Sequence, residues 1–162
     1  TLKQPCAGSS ENVRNDIRFI SKNGFEIKGD KVILSMREES TVKQRENYVR
    51  EQYRILLKAE IERLLPKWER LTELYCDSWQ TKYMLTRWGT CNTEKKKLWF
   101  NLQLAQKPIE CLEYVILHEL LHLKERTHNS VFISCMDLYM KDWRAVRKEL
   151  NDLRLDYYNK VE

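Results

Sequence analysis

The sequence predicts an α+β fold, because its β-prone segments and its helix-periodic segments occupy separate blocks instead of alternating along the chain. Gly and Pro are scarce, 4 and 3 in 162 residues, against 42% hydrophobic and 33% charged, a composition suited to a globular, helix-rich protein. Asx-Gly and Gly-Asx pairs near the start mark tight turns between short strands. These observations predict a small antiparallel sheet with helices flanking it. At this length one core closes without disulfide staples, so residues 13–162 are expected to form a single domain after a loose lead-in at 1–12. Within it, 13–76 would hold the first strands and long helices, and 77–157 the catalytic core.

In chain order, Ile17 to Ser21, Phe25 to Lys28 and Val32 to Met36 are separated by Asn23-Gly24 and Gly29-Asp30, and read as an antiparallel meander. From Glu38 to Cys76 the apolar period becomes helical, through Val42, Val49, Tyr53, Leu57, Ile61 and Leu64. Pro66 is expected to split this stretch into two helices, since proline removes one hydrogen bond and crowds the preceding turn. Lys82 to Trp88 and Leu98 to Leu104 flank T-C-N-T-E-K-K-K and suggest a second hairpin. Pro108 suits a first helical position, with a helix from Ile109 to Glu125. Two more helices are expected, one from an N-cap at Ser130 to Met140 and one from Asp142 to Tyr157.

The charge and cysteine counts narrow the functional classes. A formal net charge of +5, spread over mixed-sign segments, favours mild attraction to polyanions without demanding a nucleic-acid surface. Five Cys (Cys6, Cys76, Cys91, Cys111, Cys135) are odd in number and lack a C-x-x-C pair, the pattern of reduced thiols in the cytoplasm. No apolar run reaches the ~18 residues of a membrane span.

All three histidines fall in V-I-L-H-E-L-L-H-L-K-E-R-T-H, Val115 to His128. On a helix His118 and His122 share one face, where two imidazoles can reach one Zn²⁺. Glu119 lies on the neighbouring flank, placed to act as acid and base on a water without ligating the ion. His128 becomes a third ligand if the helix ends before it, and Lys124 to Thr127 do break the apolar pattern. In a helix otherwise lined by leucine, valine and isoleucine, two histidines and a glutamate are expensive to bury without partners; a metal supplies one. The spacing equals that of metzincins, but Glu125 stands where their glycine does. Glu125 could instead orient an imidazole, while Cys111 lies too far along the helix to ligate and Phe132, Met136 and Met140 read as packing. A closed structural site would need a fourth protein ligand, which makes a non-catalytic zinc-containing binding module the weaker alternative.

Three further segments carry a family resemblance: R-W-G-T-C at Arg87 to Cys91, W-F-N-L-Q-L at Trp99 to Leu104, and Y-V-I-L-H-E-L-L-H-L followed by T-H-N-S-V-F. Their order and spacing resemble the YgjP-like metallopeptidase family, from about Trp79 to Asn151. Thr90 stands in place of the family's usual serine and Lys141 in place of a proline. The resemblance implies a zincin-like fold, His118, His122 and His128 as zinc ligands, Glu119 as catalytic acid/base, and a peptide or protein substrate. A related possibility it raises is a protease acting on DNA-associated proteins, as SprT-like proteases do. Arg87, Asn101 and Tyr139 are the candidate substrate or transition-state contacts, with a turn locked by Trp88 as the structural alternative for R-W-G-T-C. The strand near Leu98 to Leu104 is the expected substrate groove.

Overall fold

A computed structural model describes residues 15–19, 23–29 and 31–158, with side chains at 23–29 and 31–152; the lead-in expected at 1–12 lies outside them. The fold is α+β. Contacts along the backbone divide the chain into two compact units, Thr1–Ile55 and Leu56–Glu162.

The first unit contains β1 (Asn15–Phe19), β2 (Gly24–Lys28) and β3 (Lys31–Met36) in the order β1-β3-β2. β2 and β3 form the expected antiparallel hairpin, but β1 runs parallel to β3, with Ile17 opposite Leu34. The meander is therefore corrected to a mixed sheet. Val32, Leu34 and Met36 are buried on one face of β3, and the central place gives this most apolar strand partners along both edges. β2 begins with Gly24 and exposes Glu26 and Lys28, as suits an edge.

α1 spans Val42–Thr72, so it starts later than the expected Glu38. Thr41 fixes the start with a capping box: its Oγ1 accepts from Gln44 N at 3.2 Å, and its own N–H donates to Gln44 Oε1 at 2.9 Å. The helix continues through Pro66 against the sequence expectation. Leu64, Leu65 and Trp68 on either side are buried, and their packing outweighs one lost hydrogen bond. Glu73 adopts φ 57° and ends the helix in the left-handed conformation usual past a C-cap, three residues short of Cys76.

The second unit's sheet has β4 (Ser78–Lys82), β5 (Gly89–Asn92) and β6 (Lys97–Asn101) in the order β4-β6-β5. β5 and β6 make the expected hairpin, with Cys91 opposite Leu98, whereas β4 runs parallel to β6. The hairpin's first arm is thus Gly89–Asn92, not Lys82–Trp88. Asn101 explains the shift. Its buried amide donates to the carbonyls of Met84 and Arg87, each at 2.7 Å, and its Oδ1 accepts from Gln103 N at 3.0 Å. Those bonds hold 83–88 as a loop and turn the chain after β6 into a short 3₁₀ segment, Leu102–Gln106, where the sequence suggested more strand.

α2 (Ile109–Leu121), α3 (Ser130–Tyr139) and α4 (Trp143–Tyr158) follow. Cys111, Ile116, Leu117 and Leu120 are fully buried, so α2 is the central helix of this unit, with β5, β6, α3 and α4 packed on it. Asn129, not Ser130, caps α3 by accepting from Phe132 N at 2.9 Å. Asp137 accepts from Trp143 Nε1 at 2.8 Å and pairs with Arg144, tying α3 to α4. Among the described residues no helix is long and apolar enough to cross a membrane, and Cys76, Cys91, Cys111 and Cys135 are free thiols.

Candidate metal centre

The apolar residues of α2 bury the helix on most sides and leave His118 and Glu119 on the face that borders a cleft. α2 ends at Leu121, earlier than the expected Glu125, with His122 as its C-cap at φ −64°, ψ −19°. The amides of Leu123, Lys124 and Glu125 bond back to Leu120 and Leu121, and this tight exit returns the chain so that His128 faces the helix it has just left.

The three imidazoles converge. Nε2 of His118 lies 3.2 Å from Nε2 of His122 and 3.0 Å from Nε2 of His128, and the third side of the triangle is 3.2 Å. A tetrahedral ion with bonds of ~2.0–2.1 Å requires nitrogens about 3.3 Å apart, so this donor set fits a zinc-sized cation closely.

Local bonds prepare the nitrogens. His122 Nδ1 is 3.0 Å from the carbonyl oxygen of Glu125; a carbonyl only accepts, so Nδ1 carries the hydrogen and Nε2 presents its lone pair to the cluster. Burial, then the neighbouring imidazoles, push His118 down to about 3, which keeps it in the neutral form that metal ligation needs. The more exposed His128 is lowered in the same direction. Tyr114 OH stands 3.5 Å from His118 Nδ1, at the outer limit of a hydrogen bond, and its ring stacks on Trp143. Phe132 packs against all three imidazoles at centroid distances of 5.0, 5.0 and 4.9 Å.

Of the two readings of Glu125, an imidazole-orienting side chain or a solvated glutamate at the helix end, the orienting contact is made by its backbone carbonyl. The carboxylate instead accepts from Asn129 Nδ2 at 2.8 Å, so the exit turn, His128 and the α3 cap are joined. Tyr114, Asn129 and the role of Phe132 as a wedge escaped sequence reasoning; Tyr114 at four residues before His118 was the one legible signal.

Glu119 is 6% exposed. Burial raises its carboxyl to about 8, with Arg87 acting in the opposite direction. Gly89 makes room for it: a Cβ there would lie 2.8 Å from both Cγ and Oε1 of Glu119 and from Cγ1 of Val115. The cleft, about 440 Å³, is lined by Thr86–Cys91 from the loop and β5, by the three histidines and Glu119, and by Arg126, Arg147 and Asn151.

Of the other expected contacts, Arg87 lines this cleft, whereas Asn101 and Tyr139 do not. Asn101 supports the Arg87 loop from behind through its bonds to Met84 and Arg87. The expected groove strand is also relocated. β6 is hydrogen-bonded on both edges, and β5, paired on one edge only, is the strand that borders the cleft.

A family model for the YgjP-like metallopeptidase domain matches residues 9–153. The chain belongs to the YgjP-like family. No curated protein matches it. The match runs through both compact units of this YgjP-like chain and includes every residue of the histidine cluster, α2 with Glu119, and the cleft-lining loop. A metal-dependent hydrolase is the function class that the family description and the three-histidine cluster indicate together.

Proposed function

We propose that the protein is a zinc-dependent metallopeptidase of zincin-like architecture, with residues 13–162 acting as one functional domain. The observation that carries this reading is the convergence of three Nε2 atoms within 3.2 Å of one another at the mouth of a cleft that also holds a buried glutamate. Among the described residues the cluster contains no fourth His, Cys or carboxylate, which supports an open site over a closed structural one.

His118, His122 and His128 hold the ion. Bound zinc supplies a Lewis acid that makes water a better nucleophile near neutral pH and polarises a carbonyl oxygen. Glu119 takes the proton of the attacking water and returns it to the leaving amine nitrogen, so one carboxylate serves as base and then as acid. Burial raises its carboxyl above the usual carboxylate range, the direction that suits a group serving as acid as well as base. Arg87 stands beside Glu119 as a fixed positive charge suited to a developing oxyanion. The free edge of β5 offers main-chain groups to an extended peptide laid along the cleft.

Glu119→Gln tests the reading. It retains the shape of the side chain and removes the base, so zinc content stays at one ion per chain while cleavage of a peptide library is lost. Turnover equal to wild type in a zinc-loaded Glu119→Gln protein overturns the mechanism.

A further inference from the structure

The charge around the cleft is one-sided. Arg87, Arg126 and Arg147 line it from three different elements: the loop before β5, the turn after α2, and α4. Glu119 is the one carboxylate among the lining residues, and it is buried. Two exposed arginines elsewhere in the second unit have acidic partners: Arg63 pairs with Glu60 and Arg144 with Asp137. Arg144 is one helical turn from Arg147, and its partnership with Asp137 leaves Arg147 as the cation that α4 presents to the cleft. None of the three lining arginines takes part in an ion pair among the described residues, and the low dielectric of a cleft wall concentrates their field. Arg87 is engaged electrostatically by Glu119, so Arg126 and Arg147 are the pair left to meet a ligand.

Resting on the hydrolase reading above, we propose that this cleft selects peptides carrying a carboxylate close to the scissile bond, bound by the guanidinium groups of Arg126 and Arg147. A guanidinium matches a carboxylate with two parallel N–H donors, which gives direction as well as attraction. An anionic group also offsets the positive charge that accumulates once a divalent cation joins the three arginines. A nucleic-acid strand fits less well, because backbone tracking requires a run of cations with interleaved stacking platforms, whereas these arginines converge on one cavity.

The test is binding to the zinc-loaded Glu119→Gln protein, read by fluorescence anisotropy at low salt. The probes are one labelled octapeptide with glutamates at its centre, its glutamine isostere, and both of these with free or amidated C-termini. The glutamate peptide is expected to bind about tenfold tighter than its isostere, with the advantage shrinking as salt rises. If the preference follows the free C-terminus instead, the same arginines read a terminal carboxylate, which still supports the proposal. Arg126→Gln with Arg147→Gln, both at exposed positions, should erase the difference. Equal affinity for all peptides, a preference that survives the double substitution, or displacement of the acidic peptide by a lower concentration of oligothymidine would each overturn it. Binding requires no turnover, so a protein that prefers the acidic peptide yet cleaves nothing fails the hydrolase reading alone.

Discussion

Gly89 and Glu119 occupy complementary space: the carboxylate lies where a side chain on residue 89 would have to be, 2.8 Å from the position of its Cβ. Gly89→Ala is therefore expected to push Glu119 off its station. Val115 blocks the other escape, so overpacking should cost about 1–3 kcal/mol of stability. A displacement near 1 Å lowers kcat by on the order of 10²-fold. Zinc content is expected to be unaffected, because the atoms nearest the added Cβ belong to Glu119 and Val115. Peptide hydrolysis beside metal analysis checks this; an active alanine variant contradicts it.

Asn101 is 2% exposed and satisfied on every side. Asn101→Asp removes a donor from the Arg87 carbonyl and one of two from the Met84 carbonyl, which Gln103 Nε2 also serves, and sets a carboxylate against both. With about 1–3 kcal/mol lost for each buried group left unmatched, Tm falls by on the order of 10 °C. Thermal denaturation followed by circular dichroism measures it.

Phe132 touches each imidazole of the cluster and is 2% exposed. Phe132→Ala should destabilise the fold by about 3–5 kcal/mol, and Phe132→Leu by less. In the leucine variant, which stays folded, zinc affinity drops by roughly 10–100-fold as the imidazoles lose their common backing. Competition against a chelating dye reads the affinity.

Metal removal should lower stability without unfolding the chain. At a free zinc concentration 1,000 times Kd, binding contributes about 4 kcal/mol, so chelation shifts Tm downward and added zinc restores it. His128 is exposed, so His128→Ala should leave the metal-free stability within about 0.5 kcal/mol of wild type while abolishing the zinc-dependent shift in Tm. A full zinc shift in that variant would remove His128 from the site.

Thiol chemistry gives a pH prediction that involves no histidine of the cluster. Burial pushes Cys76 and Cys111 up to about 12 from an ordinary value of 9, and burial followed by the Glu119 charge pushes Cys91 to about 11. A shift of three pKa units leaves about a thousandfold less thiolate at pH 8, so iodoacetamide labels these positions slowly in the folded protein. The sign for stability follows: the fold favours the neutral thiol, so this contribution is fully present below pH 9 and is lost as pH rises from 9 toward 12. Labelling of Cys111 should appear together with alkaline unfolding, as mass spectrometry of a pH series would show.

The parts of this fold that depend on near neighbours in sequence could be read in advance. The spacing of His118 and His122, the apolar face of α2 and the break before His128 all lie within one short segment, and their periodicity carries the information. The pairing of β1 with β3, the continuity of α1 through Pro66 and the loop at 83–88 depend instead on tertiary partners. Asn101 is the clearest case. Its residue type suited a substrate contact, but four hydrogen bonds to backbone groups 2 to 17 positions away decide its use. Tyr139, the last residue of α3, is not among the residues that line the cleft.

The two halves of the site differ in how far apart their parts lie. The groups that touch the imidazoles sit between Tyr114 and Phe132, a contiguous helix, turn and cap. The glutamate depends on a distant strand for its space and on a distant loop for its counter-charge. On the proposed mechanism, a descendant that altered the strand while keeping the helices would keep the three-histidine cluster and lose the space that the glutamate occupies. Glycine at position 89 is then a better marker of the proposed hydrolysis than metal content.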